Sequence, residues 1–161
     1  MKLNRATLQI NKPTKFSEDV DFSKKEFDPL FLRGITKCHV DMEATQYDEF
    51  LRVDFDIDAS IIAVCAYTLD DVKLPLKIHE EIAFSDNPED DSSFYEENVI
   101  IDLDEYILGI ILAYIPAKVV KKGAKPPKDG EGYRVLTEDQ LAKERSEKKD
   151  DRWSKLDDLD L

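Results

Sequence analysis

Eight consecutive residues constrain this chain more than any others. Leu51, Val53, Phe55 and Ile57 alternate strictly with Arg52, Asp54, Asp56 and Asp58. Successive side chains on a strand point to opposite faces, so this period of two predicts a β-strand buried on one side and wet on the other. A helix would scatter the same residues around its circumference. Any fold for the chain must therefore include a sheet with a charged open face.

The neighbouring segments extend that sheet. Residues 35–44 alternate through Ile35, Cys38, Val40 and Met42, with an imperfect step at Lys37. Residues 61–67 are almost wholly apolar and β-branched at their start, which predicts a central strand. Residues 72–84 place Val72, Leu74, Leu76, Ile78, Glu80 and Ile82 on one face. Turns are predicted at Tyr47 and Asp48, Asp58 and Ala59, and Asp70 and Asp71. Closely spaced strands with short connections predict an antiparallel meander, curled towards a partly closed barrel. Ahead of it, Phe16, Val20 and Phe22 alternate loosely, and a turn or short helix is expected around Pro29.

Beyond the sheet, residues 85–98 are rich in Asp, Glu, Ser, Asn and Pro and carry no basic residue. They read as a solvated flexible connection. A brief strand at 99–103 then leads into a helix starting at Asp102 or Asp104 and running to about Ile115, where Pro116 ends it. The early acids complement the positive end of the helix dipole. Apolar residues cover most of that helix, so either it lies deep in the core or part of it meets a second molecule. Gly109 within it reads as a close helix–sheet contact.

The expected class is thus α+β: an antiparallel, barrel-like sheet packed by one apolar helix, followed by a polar C-terminal helix and tail. Three regions are expected. Residues 1–116 form the β-rich core with the apolar helix, residues 117–132 a basic flexible loop, and residues 133–161 a short strand, a polar helix and an amphipathic tail. The polar helix runs from Thr137 to Lys149, with Thr137 and Gln140 spaced as a capping box. The tail carries Trp153, Leu156, Leu159 and Leu161. It either docks back on the domain or serves as a short partner-binding helix.

Charge narrows the functional classes. A net charge of −13 over 161 residues repels a phosphate backbone, so nucleic acid must be met by a local basic patch. The one such patch is Lys118, Lys121, Lys122, Lys125 and Lys128, a run without acids. It is either an RNA contact, with Tyr67 and Arg134 beside it, or a solubilising loop. Residues 1–10 contain no apolar run of signal-peptide length, and no apolar stretch is long enough to cross a bilayer, which predicts a cytoplasmic protein without membrane contact. Cys38 and Cys65 are then expected as free thiols.

Motifs of catalysis are not found. The five glycines build neither a P-loop nor a dinucleotide fingerprint. Cys38 and His39 are adjacent on a strand and point apart, and the cysteines and histidines lack zinc spacing. Asp54, Asp56 and Asp58 read as a solubilising, edge-protecting stripe. The expectation is a binding protein with no cofactor and no metal.

Three segments carry a resemblance. Cys65-Ala66-Tyr67-Thr68-Leu69-Asp70-Asp71-Val72, continuing through Leu74, Pro75, Leu76 and Ile78 to Ile82, is similar to a strand ending in Cys, a basic residue and Cys or Thr, then Leu and a second long strand. Ile101-Asp102-Leu103 precedes an apolar helix that ends Tyr114-Ile115-Pro116. Asp150-Asp151-Arg152-Trp153-Ser154-Lys155-Leu156 is similar to a terminal Asp-Pro-Arg-aromatic-x-x-Leu. In this order, and from about residue 30 onward, they resemble the large ribosomal RNA subunit accumulation (YceD) family. The resemblance implies a non-enzymatic role in accumulation of large-subunit (23S) rRNA and assembly of the large subunit. It adds Arg152 and Trp153 to the binding candidates, with large-subunit rRNA or a pre-ribosomal particle as partner. The alternative is an acidic module that holds a basic ribosomal protein. Here Thr68 replaces a second cysteine, Tyr67 stands where Arg is common, and Gly109 where Glu is common.

Overall fold

The computed structural model describes residues 1–147. Contacts divide the chain into two units, Met1–Lys121 and the part from Lys122 onward, each described by itself.

The first unit is mostly sheet. Its strands are β1 (Lys2–Asn4), β2 (Thr14–Asp19), β3 (Leu32–Gln46), β4 (Phe50–Val64), β5 (Asp71–Ser85), β6 (Phe94–Tyr95) and β7 (Ile100–Asp102), followed by helix α1 (Asp104–Ala113). The main sheet has the order β2-β3-β4-β5-β6, and β1 pairs separately with β7. Neighbours from β2 to β5 run antiparallel, whereas β6 joins β5 in parallel. The class is α+β as expected, but the sheet is mixed and does not close. It ends in two edges, β2 and β6, so the barrel-like curl is corrected to an open sheet.

β3, β4 and β5 are 15 residues each, about three times the usual strand length. The turn expected at Asp58 and Ala59 does not form. Asp58 lies opposite His39 on one side and Lys77 on the other, and Ala59 opposite Cys38 and Leu76. The reason is that the period of two never breaks: Ala59, Ile61 and Ala63 continue the buried row begun by Leu51. An Asp in such a row needs only the solvent face, and β4 supplies it.

Phe55, Leu51, Val53 and Ile61 have no exposed surface, and they form the centre of the core with Phe84, Ile101, Leu103, Ile107 and Ile111. Helix α1 turns Ile107, Ile110 and Ile111 inward and leaves Leu112 and Tyr114 partly exposed. One face of the helix is therefore in the core, as the first reading expected. Tyr106 packs its edge on Phe84 with ring centres 4.8 Å apart. A Cβ placed on Gly109 would meet nothing within 4 Å, so the expected close helix–sheet contact is absent there.

The acidic segment after β5 holds more structure than expected. Its Asn, Asp and Ser side chains bond their own backbone, as in Glu89 N–H to Asn87 Oδ1 at 3.1 Å and Ser92 N–H to Asp90 Oδ1 at 3.0 Å. Those turns lead the chain back to add β6 beside Phe84 and Ser85.

In the second unit, Gly130 and Tyr133 form an isolated antiparallel bridge, and the strand expected at 133–136 is absent. Among the described residues no neighbouring strand offers it a ladder. Gly130 admits the Tyr133 ring where any Cβ would collide with it at 2.2 Å. Helix α2 (Glu138–Glu147) follows. Gln140 N–H donates to Thr137 Oγ1 at 3.2 Å, and Thr137 N–H to Gln140 Oε1 at 2.9 Å, which is the expected capping box.

Candidate functional site

Where β4 ends, the chain turns sharply into β5. Cys65 N–H donates to Asp70 C=O at 2.8 Å, and Leu69 N–H donates to Cys65 C=O at 2.9 Å. The turn holds Leu69 at φ 59°, the left-handed region that side chains rarely adopt. The segment leaving α1 then crosses this turn as a strap. Ala66 N–H donates to Val119 C=O at 2.8 Å, and Lys121 N–H to the Cys65 sulfur at 3.3 Å.

Side chains complete the clasp. Lys121 Nζ donates to Asp70 Oδ2 at 3.0 Å, and the Lys118 ammonium sits 5.1 Å from the Tyr67 ring centre. From the other side, Arg33 Nε donates to Asp71 Oδ1 at 3.2 Å. Lys121 also sets the local titration, holding the Asp70 carboxyl below the usual carboxylate range with help from Thr68. The Cys65 thiol is fully buried, which opposes ionisation. The Lys121 N–H and the Thr68 hydroxyl outweigh that burial and lower it to about 7. Cys38 lies in the core without such donors, and burial pushes it up to about 11.

Of the nine candidate residues, the structure brings three together: Tyr67, Lys118 and Lys121 at this turn. Lys122, Lys125, Lys128 and Arg134 are exposed residues of the second unit, where Arg134 pairs with Glu144 at 2.6 Å. Arg152 and Trp153 lie outside the described residues. Sequence reasoning passed over Arg33 and Leu69. An apolar residue inside the turn run Thr68-Leu69-Asp70-Asp71 was the available signal.

A second surface is the open face of the main sheet. Register sets Asp41 opposite Asp56, Glu43 opposite Asp54, and Asp54 opposite Glu81. Like charges directly opposed destabilise a sheet. β4 is central, so its Asp row protects no edge, and that reading is corrected. Two histidines soften the repulsion. His39 Nδ1 lies 2.7 Å from Asp19 and its Nε2 3.6 Å from Asp41, while His79 Nδ1 lies 2.9 Å from Asp56. Asp19 raises the His39 pKa and Asp56 that of His79. Among the described residues, no group of three or more His, Cys, Asp and Glu side chains is arranged to hold a metal ion. No described helix is long and apolar enough to cross a membrane.

The fold is thus α+β, an open mixed sheet whose β4–β5 turn is crossed by the segment carrying Lys118 and Lys121. The sequence assigns the chain further: the model of the family described as large ribosomal RNA subunit accumulation protein YceD matches residues 53–160, and the chain belongs to that family. It is similar to the uncharacterized protein YlbN of Bacillus subtilis, at 27% identity over 142 residues, 83% of this chain and 75% of that protein. No solved structure matches it significantly.

Proposed function

We propose that the chain is a ribosome biogenesis factor that acts by binding and supports the accumulation of large-subunit rRNA. Family membership carries the ribosome-related role. The RNA contact is assigned to Lys118, Lys121, Lys122, Lys125 and Lys128, together with Tyr67, Arg134, Arg152 and Trp153. What supports this is a run of five lysines without an acid in a chain of net charge −13, two of which, Lys118 and Lys121, stand at the β4–β5 turn. Phosphate binding needs local cations that release condensed counterions, and this run is where the sequence supplies them. The setting is the cytoplasm, where pre-ribosomal particles assemble.

The test is filter binding to large-subunit rRNA across a salt series. Changing the five lysines to glutamine is expected to flatten the plot of log affinity against log salt by about 0.7–0.9 for each lysine in phosphate contact. Unchanged affinity and slope would remove the RNA contact. Depletion in cells should lower large-subunit RNA relative to small-subunit RNA.

A second reading is an acidic module that holds a basic ribosomal protein. The opposed carboxylates Asp41–Asp56 and Glu43–Asp54 favour it, since a cationic partner would relieve their repulsion. Pull-down at low and moderate salt separates the two: rRNA enrichment supports the first, and a single small basic protein the second.

A further inference from the structure

We infer that the RNA contact continues from the lysine turn onto the open face of β5, where Lys73 and Lys77 form a track for the phosphate backbone. Register divides that face by charge. At one end Asp54 lies between Glu43 and Glu81, and Asp41 lies opposite Asp56. At the other end, next to the β4–β5 turn, Asp58 lies opposite Lys77, Ser60 between Lys37 and Pro75, and Ile62 opposite Lys73. Residues directly opposite share a face, so Lys37, Lys73 and Lys77 stand on one surface although they come from two strands. All three are exposed.

The charges of Lys73 and Lys77 are not used within the fold. The two acids at this end are engaged by other cations, Asp58 by Lys37 at 3.4 Å and Asp71 by Arg33 at 3.2 Å. Lys73 and Lys77 have no ion-pair partner among the described residues. Edge protection accounts for charge on β5, since β6 pairs only with Phe84 and Ser85. It does not account for the sign, which is opposite to that of the chain as a whole. Strand geometry also makes the track continuous with the turn. At about 3.4 Å per residue, Lys73 lies about 13 Å from Lys77 and about 7 Å from Asp71. The next residue, Asp70, takes Lys121 Nζ at 3.0 Å. The cations thus run from Lys77 through Lys73 to Lys121 within one unit.

RNA is favoured over protein as the occupant. Between Lys37, Lys73 and Lys77 lie Ser60, Ile62 and Pro75, and none of them is the aromatic anchor on which protein hot spots are built. A phosphate backbone needs only spaced cations, and such contacts position a nucleic acid without reading its bases. The carboxylates at the far end of the face repel phosphate and confine the backbone to the end beside the turn. This extension rests on the proposed RNA contact and adds to it a second set of lysines, which only strand register brings together.

The test is filter binding of the full chain to large-subunit rRNA, naked and within intact subunits, across a salt series. K73Q/K77Q is compared with K12Q/K24Q, which removes the same charge from exposed lysines outside the strands. Expected for K73Q/K77Q on naked rRNA is a flattening of log affinity against log salt by about 1.4–1.8, from about 0.7–0.9 for each contact. K12Q/K24Q and K73R/K77R should keep the wild-type slope, and Tm should not change. Equal slopes for K73Q/K77Q and wild type would overturn the inference and leave the loop lysines to their own variant. So would equal flattening in K12Q/K24Q, which would make the effect one of net charge, or a loss shared by K73R/K77R, which would make the lysines structural. A loss on intact subunits but not on naked rRNA would make the face a protein contact and overturn it too. Wild type that binds no rRNA would overturn the proposed function and this inference together.

Discussion

His39 lies between Asp19 on the edge strand and Asp41 on its own strand, across from Asp58. Its pKa is raised, first by the hydrogen bond with Asp19, so the folded protein holds the proton more tightly than the unfolded chain. The stabilisation is complete below the unfolded value, about 6.5, and is lost as pH rises through the folded one. His39→Gln should therefore flatten the decline in Tm that wild type shows between about pH 6 and 8; a decline of the same size in both proteins would refute the pairing. Part of this was legible beforehand. Adjacency on a strand put Cys38 in the core and His39 on the open face. The partner Asp19 was not legible, because β2 finds β3 through a loop whose length and course no local pattern encodes.

Helix α2 shows how far local chemistry reaches at the scale of an element. Thr137 and Gln140 announced its start from their spacing alone, and the reciprocal bonds are in place. The helix buries no residue, so its stability is its own. Ten residues are marginal for an isolated helix, and losing an N-cap costs about 1 kcal/mol. Thr137→Ala is expected to erase amide protection across residues 141–147, read by hydrogen exchange, and retained protection would show the cap to be dispensable. The strands tell the opposite story. Alternation revealed the faces of β4 but not its length, since Asp58 and Ala59 look like a turn until two equally long neighbours are seen beside them. The parallel arrival of β6, the left-handed Leu69 and the strap over Cys65 depend on contacts far apart in sequence. Hence the contact of Lys121 with Asp70 was invisible although both residues were noted.

For the whole molecule, the excess of carboxylates dominates. Three like-charged pairs face one another across the sheet, and the net charge is −13. Salt screens such repulsion over about 10 Å at 0.1 M. Tm should rise as sodium chloride goes from about 0.02 to 0.3 M, followed by scanning calorimetry; a flat or falling curve would mean that Arg52, the histidines and the sheet lysines already balance the face. The pairing of β1 with β7 has another kind of consequence. Leu3 meets Ile101 across nearly the whole first unit, and both are buried. Hairpins β3–β4 and β4–β5 close over short loops, while this clasp must wait for the longest loop in the unit to shut. During folding β1 therefore stays unmatched until β7 is in place, so the strand lies idle while the hairpins between them zip up.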